Sequence, residues 1–81
     1  MKVRASDDFN EALEYIPEPI KKKLYKQLRF LGHNLMHPSL HAKKYDEARN
    51  IWQARVDKSW RFYFQIKDDT YLLLDIIPHP K

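Results

Sequence analysis

An arginine stands in the middle of an aromatic segment, SWRFYFQI, which covers residues 59–66. Aromatic residues favour β-strands, so this segment is predicted to be a strand that carries Arg61 as its charge. Two interpretations are open at this point. Arg61 is either an ordinary outward-facing charge on a half-buried strand or a fixed cation that binds a phosphate, which a guanidinium group does in a bidentate manner.

A basic segment precedes the aromatic one. Lys43, Lys44 and Arg49 lie within a few residues of each other, and Asp46 and Glu47 stand among them. Mixed charges of this kind are also typical of a solvated connection between elements. If the segment instead packs beside the strands, its cations would form part of a positive cleft that attracts phosphates.

Two arginines and two tyrosines are predicted on the sheet beside this basic segment. Arg55 and Arg61 are predicted on neighbouring strands, on the face that does not enter the core. Tyr63 and Tyr71 are predicted on the same face, where phenol rings can stack on unpaired bases. Cations that bind phosphates together with rings that stack on unpaired bases would suit a nucleic acid ligand.

The histidines are candidates for metal binding or proton transfer. His33, His37 and His41 recur every four residues, but Pro38 interrupts the helix that would gather them on one face. We therefore expect no metal site, and the single glycine excludes a glycine-rich nucleotide loop, so no cofactor is expected. His79 follows the last predicted strand and is either a tail residue or a group that transfers a proton near neutral pH.

The composition sets the class of protein. The chain has 81 residues, a formal net charge of +4 and 43% hydrophobic residues. These values predict a single domain over residues 1–81 with a real core and a preference for polyanionic partners. There is no cysteine, no signal-peptide pattern and no apolar run of membrane-spanning length. A cytoplasmic protein without a membrane partner is expected.

Helical patterns occupy the first half of the chain. Ser6 is a suitable N-cap for a first helix. Pro17 and Pro19 separate it from a second helix, whose apolar stripe steps by three or four residues from Ile20 to Leu35. The short connection predicts that the two helices form an antiparallel hairpin.

The period changes to two in the second half, which predicts three strands, and a weaker pattern at residues 2–5 would add a fourth. A three-residue loop at residues 57–59 keeps apolar residues opposite each other and sets Arg55 directly across from Arg61. Like charges opposed on a sheet destabilise it unless an anion lies between them. The expected fold is α+β, with two N-terminal helices packed on one face of a three- to four-stranded antiparallel sheet.

A series of short motifs resembles the RelE/ParE superfamily of bacterial toxin–antitoxin toxins. The motifs are, in order, FxxAL, PxxIxKKL, HPSL, the pair KK, WxxRV, WRFYFQI and LLLDIIPH. The order, with an arginine at the start of an aromatic strand and a histidine after the last strand, carries the resemblance. It implies two helices packed on a small antiparallel sheet, which agrees with the fold expected from the patterns.

The resemblance also implies an activity, which is metal-independent cleavage of messenger RNA on the ribosome. A base takes the proton of a ribose 2′-hydroxyl, the hydroxyl attacks the adjacent phosphate, a cation stabilises the phosphorane and an acid protonates the leaving 5′-oxygen. On this resemblance Arg61, His79 and Lys44 are the catalytic residues. The residues implied in RNA binding are Lys43, Arg55, Arg49 and Tyr63.

The partner implied by the resemblance is a cognate antitoxin protein. The alternative activity is that of a non-enzymatic member of the superfamily. Such a member is either a ParE-like poison of DNA gyrase or a module that only binds antitoxin or RNA. Because one fold serves both activities, the fold alone does not choose between them.

Overall fold

The computed structural model describes residues 1–79, and a strand comes first in the chain. Two α-helices and four further strands follow, with a short 3₁₀ turn before the second strand. In chain order the elements are β1 (Lys2–Ala5), α1 (Asp7–Leu13), α2 (Glu18–His33), the 3₁₀ turn (Pro38–Leu40), β2 (Lys43–Asp46), β3 (Ile51–Arg55), β4 (Trp60–Lys67) and β5 (Thr70–Pro78).

The five strands form one mixed sheet in the order β1-β5-β4-β3-β2. Strands β2 to β5 pair with their neighbours in antiparallel fashion, whereas β1 pairs parallel to β5. The predicted three- to four-stranded antiparallel sheet is therefore wrong, and so is the prediction that the helices come first. Strand β2 was not predicted, and β1, expected only as a weak fourth strand, pairs parallel to β5. Both are short strands at the edges of the sheet, where a strand is covered on one side only.

The predicted caps explain where the helices begin. The Ser6 hydroxyl accepts a hydrogen bond from the backbone N–H of Phe9 at 3.1 Å, which confirms Ser6 as the N-cap of α1. Pro17 occupies the N-cap position of α2 and Pro19 lies in its first turn, where a missing N–H costs nothing. Among the described helices, none is long and apolar enough to cross a membrane.

The core lies between the helices and one face of the sheet. Its largest fully buried side chains come from both layers and from the 3₁₀ turn, and they are Phe9, Leu24, Leu31, Leu40, Phe62 and Phe64. Because the helices cover this face, the opposite face of the sheet is left open. The side chains of Gln53, Arg55, Arg61 and Tyr63 belong to that open face, since each pairs across β3 and β4 with another member of the set.

A β-bulge changes which residues of β5 enter the core. The register between β4 and β5 shifts at Tyr63 and Phe64, so that Leu74 is the extra residue in β5. As a result, Tyr71 is buried at 4% exposure and Leu74 lies on the open face. The prediction that Tyr71 faces outward is wrong, and burial raises the pKa of its phenol.

Candidate functional site

Strands β3 and β4 place Arg55 directly opposite Arg61. The three-residue connection predicted from the apolar pattern is confirmed, because Trp52 pairs with Phe64 and the backbone N–H of Val56 donates to the carbonyl of Trp60 at 3.0 Å. Two like charges are thus held side by side on the open face. Two positive charges that face each other repel, and an anion bound between them would relieve that repulsion.

The two arginines line a cleft of about 370 Å³ on the open face. Its wall is formed by His41, Ala42, Lys43, Gln53, Arg55, Arg61 and His79, and we call it the cationic cleft. Among residues 1–79, no aspartate or glutamate contributes to this wall. The structure therefore brings together four of the residues predicted to act on RNA, namely Lys43, Arg55, Arg61 and His79.

Arg61 lies on the open face yet is only 7% exposed. Its Nη1 donates to the carbonyls of Asp57 at 2.7 Å, Trp60 at 3.0 Å and Lys58 at 3.3 Å. All the hydrogen bonds of the Arg61 side chain within residues 1–79 use Nη1, so the donors on Nε and Nη2 remain for a ligand. The guanidinium is thus held in one orientation, which is what electrostatic stabilisation of a reacting group requires.

The charge on Arg61 is placed in an unfavourable environment. Burial, and after it the positive charge of Arg55, lowers the pKa of the Arg61 guanidinium, although Asp57 opposes this change. Arginine stays protonated in proteins even so. A phosphate bound between the two arginines would offset both unfavourable effects, since it supplies the missing negative charge.

The turn that holds Arg61 is built by Asp57. One oxygen of its carboxylate accepts from the backbone N–H groups of Ser59 at 2.8 Å and Trp60 at 2.9 Å, and the other accepts from Lys23 Nζ at 3.1 Å. Burial by itself raises the pKa of Asp57, but these hydrogen bonds and the Lys23 charge outweigh it and keep that pKa below its ordinary value. The turn is thereby fastened to α2 as well as to Arg61.

His79 is anchored to the same turn. Its backbone N–H donates to the carbonyl of Ser59 at 2.6 Å, which fixes the segment that leaves β5. The His79 side chain is exposed and contributes to the wall of the cationic cleft. An imidazole at this place can give a proton to a group that leaves a phosphate held by Arg61.

His41 is a second histidine in the cationic cleft, and the sequence did not single it out for proton transfer. It follows the 3₁₀ turn in a left-handed backbone conformation, with φ of 46°. Its spacing from His33 and His37 suggested only a metal site. In the described part of the chain, no three His, Asp or Glu side chains gather in a way that would hold a metal ion. The more useful signal was its position two residues before Lys43.

Gln27 connects α2 to both sides of the cleft. It is 6% exposed, and its Nε2 donates to the carbonyls of Ser39 and Arg55, each at 3.0 Å. Its Oε1 accepts from the Ser39 hydroxyl at 3.1 Å. These bonds fix the 3₁₀ turn that precedes His41 and the end of the strand that carries Arg55. The signal in the sequence was a polar residue between Leu24 and Leu31 on the apolar stripe of α2.

Replacing this buried amide tests its role. Gln27→Leu keeps the approximate volume of the side chain but removes three partly buried hydrogen bonds, so we expect the free energy of unfolding to fall by about 1–3 kcal/mol. Urea denaturation measures this change. The matched control is Gln65→Leu, which removes one exposed bond to the carbonyl of Arg49. An equal loss from both variants would contradict the assignment.

The structure does not bring Lys44 or Arg49 into the cleft. Lys44 pairs with Trp52 across β2 and β3, which places it on the opposite face from Gln53. Its Nζ donates to Asn50 Oδ1 at 2.7 Å and lies 5.0 Å from the centre of the Trp52 ring. Arg49 forms an ion pair with Asp46 at 2.7 Å and thereby lowers the pKa of that carboxyl.

Tyr63 lies next to the cationic cleft on the open face. Its hydroxyl accepts a hydrogen bond from Nε2 of Gln53 at 3.0 Å, and Gln53 is part of the cleft wall. The ring of Tyr63 meets the ring of Tyr45 edge to face, with centroids 4.9 Å apart. Tyr63, which was predicted to bind RNA, is therefore connected to the predicted phosphate site through the side chain of Gln53.

Comparison with known proteins gives matches among solved structures alone. No family model matches the sequence, and no curated protein matches it. The structure is similar to a YoeB/ParE toxin from Agrobacterium tumefaciens, with a TM-score of 0.82 at 12% identity over 99% of this chain and 100% of that chain. It has the RelE/ParE toxin fold. Two further toxins of this fold also match.

One is in the RelB-RelE antitoxin-toxin complex from Methanococcus jannaschii, with a TM-score of 0.77 at 17% identity over 93% of this chain and 88% of that chain. The other is YafQ from Escherichia coli, with a TM-score of 0.78 at 12% identity over 96% of this chain and 92% of that chain. The resemblance to RelE/ParE toxins that was read from the sequence is thus confirmed at the level of the fold.

Proposed function

We propose that this chain is the toxin of a type II toxin–antitoxin system and that it acts as a metal-independent endoribonuclease on messenger RNA. The observation that carries the proposal is the cationic cleft, in which two arginines and two histidines converge and no described carboxylate intervenes. The RelE/ParE fold supports the toxin part of the proposal, because the similar solved structures described above are toxins. As in the expectation from sequence, the RNA is cut on the ribosome.

The residues of the cleft fit the steps of phosphodiester cleavage. A phosphate lies between Arg55 and Arg61, where the free donors on Nε and Nη2 of Arg61 bind its oxygens. His41 takes the proton of the adjacent 2′-hydroxyl, and the oxygen attacks phosphorus. The bond to the 5′-oxygen breaks as His79 donates a proton to it. The products are a 2′,3′-cyclic phosphate and a 5′-hydroxyl end.

This assignment gives the role of the base to His41 rather than to Lys44. The carbonyl-bound Arg61 and both histidines line one cleft, whereas Lys44 lies on the other face of the sheet. Lys43, which lines the cleft, supplies a further point charge for the RNA backbone. Arg49 precedes β3, at the opposite end of that strand from Arg55, and would contact RNA only outside the cleft.

Substituting the two histidines one at a time tests the proposal. His41→Ala and His79→Ala are each expected to slow RNA cleavage by about 10²–10⁴-fold, because each removes one proton transfer. The measurement is growth and RNA integrity after induction in a bacterial host, with the cut ends mapped for cyclic phosphate. His33→Ala, which removes an exposed histidine at the end of α2, is the matched control.

Several results would overturn the nuclease assignment. Double-stranded DNA breaks with intact messenger RNA would indicate a poison of DNA gyrase. If both His41→Ala and His79→Ala cleave RNA at the wild-type rate, the proposed proton transfers by these histidines are wrong. Absence of any toxicity in the wild-type protein would leave a module that binds without catalysis.

The proposal includes a cognate antitoxin as partner. The RelE protein of Methanococcus jannaschii was solved as a complex with its antitoxin. For this chain, with its net charge of +4, an antitoxin segment with acidic residues would complement the cationic cleft and block access of RNA to it. Co-expression of the antitoxin would then abolish cleavage.

A further inference from the structure

A second concave surface of about 240 Å³ lies beside the cationic cleft on the open face of the sheet. Its wall is mostly apolar and aromatic, and it consists of Tyr45, Ile51, Tyr63, Leu74, Asp75 and Ile77. We call this surface the tyrosine patch. The bulge in β5 contributes to it directly, since the extra residue Leu74 lies in its wall.

The tyrosine patch leaves large apolar side chains exposed on the open face of the sheet. Tyr45 is 59% exposed and Ile77 is 37% exposed, and neither helix covers this side of the sheet. Contiguous exposed apolar residues of this kind mark binding surfaces. Tyr45 and Tyr63 meet edge to face, an arrangement that leaves a flat ring surface available to a planar ligand.

The patch and the cleft share one hydrogen bond. Gln53 Nε2, in the cleft wall, donates to the Tyr63 hydroxyl, in the patch wall, at 3.0 Å. A ligand with a phosphate in the cleft therefore extends onto the rings of the patch without crossing another element. The ligand chemistry that matches an adjoining cation site and ring surface is a nucleotide in a single strand, with its phosphate on the arginines and its base on a tyrosine.

Asp75 is the one charged residue among the described members of the patch wall. Its Oδ1 accepts the backbone N–H of Ile76 at 2.8 Å, and within residues 1–79 it takes part in no ion pair. A carboxylate repels a phosphate, so this position does not suit the RNA backbone. It does suit the edge of a base that carries an amino group, because a carboxylate accepts hydrogen bonds from such a donor.

We propose that the tyrosine patch binds a nucleobase adjacent to the phosphate in the cationic cleft, and that Asp75 selects a base with an exocyclic amino group. This inference rests on the proposed function, since it assigns a base subsite to the same RNA. Asp75 is a specificity-determining residue in this arrangement, and Tyr45 provides the stacking surface. Uracil, which has no amino group, is the disfavoured base.

The stacking role is tested with short 2′-O-methyl RNA probes that cannot be cleaved. Fluorescence anisotropy compares an oligocytidine probe with a probe of equal charge in which the central base is absent. We expect Tyr45→Ala to weaken binding of the complete probe roughly tenfold and to leave the abasic probe almost unchanged. Tyr45→Phe keeps the ring and is expected to bind like the wild type. Tyr25→Ala removes an exposed tyrosine on α2 and is the matched control.

The selection by Asp75 is tested with cytidine and uridine probes, because the two pyrimidines present rings of similar size but differ in the amino group. Wild-type protein is expected to prefer the cytidine probe by roughly tenfold. Asp75→Asn both donates and accepts hydrogen bonds, so it is expected to bind the two probes equally. Circular dichroism of each variant confirms that it is folded.

The outcomes separate this inference from the proposed function. If Arg61→Ala and Arg55→Ala weaken binding of every probe but Tyr45→Ala weakens none, the cleft binds RNA and the base subsite is wrong, which leaves the patch as a protein contact. Equal weakening of the complete and abasic probes by Tyr45→Ala would also overturn it. If the arginine variants bind RNA like the wild type, the proposed function fails and the base subsite fails with it.

Discussion

Arg61→Ala is expected to reduce RNA cleavage by about a hundredfold or more, and to remove toxicity with it. The physical reason is that Arg61 is the one cation of the cleft held by three carbonyl oxygens of a turn, so its remaining donors are aimed before the substrate arrives. Removing a single preorganised donor from a reacting centre typically costs this much. RNA integrity after induction, and initial rates on a defined message, measure the effect.

Two controls separate the chemistry of Arg61 from its contribution to the turn. Arg61→Lys keeps a positive charge but loses the planar fork, and we expect it to recover only a small part of the activity. Arg29→Ala removes an exposed arginine of α2 and should cleave RNA at the wild-type rate. Since Asp57 also holds the turn, Arg61→Ala should remain folded by circular dichroism. A folded Arg61→Ala variant that cleaves RNA normally would contradict the assignment.

Phe64→Ala is expected to lower the free energy of unfolding by about 3–5 kcal/mol, the usual cost of truncating a buried phenylalanine. Phe64 is fully buried in the middle of β4, and its ring contacts those of Phe62 at 5.7 Å, Tyr71 at 5.6 Å and Trp52 at 6.3 Å between centroids. The helices pack over Phe64 on the core face of the sheet, so the neighbouring side chains cannot easily fill the cavity that Phe64→Ala would leave. A loss of this size is a large part of the stability of a small domain.

Urea denaturation followed by tryptophan fluorescence measures this loss. Tyr25→Ala, which truncates a half-exposed ring on α2, is the control and should change the free energy of unfolding by less than about 0.5 kcal/mol. A similar small change for Phe64→Ala would mean that the sheet does not pack against the helices as described.

The register between β3 and β4 could be predicted from the sequence because the apolar residues leave no alternative. Shifting the pair by one residue would place Val56 opposite Arg61, so the alternation itself selects the three-residue connection. The juxtaposition of Arg55 and Arg61, and with it the centre of the cleft, follows from that register. The position of Ser6 at the start of α1 was likewise predictable, because a cap is a local interaction.

Other features depend on contacts that a local pattern does not contain. β1 is placed in the sheet by parallel pairing with β5, far along the chain, and its four exposed residues are too few to predict that pairing. The bulge opposite Phe64 changes which residues of β5 face the core. A strict alternation without the bulge therefore places Tyr71 on the open face instead of in the core. His41 enters the cleft through a left-handed residue conformation after the 3₁₀ turn, which a helical spacing of histidines does not predict.

The strand order also determines when, during synthesis, the cationic cleft can form. β5 is made after every other strand, yet it lies between β1 and β4 in the sheet. A nascent chain that lacks β5 therefore leaves β1 without a partner and has no His79 to bond the turn at Ser59. The wall of the cationic cleft is therefore complete only after residue 79 has been added, so a nascent chain does not carry the whole proposed site until every described strand has been translated.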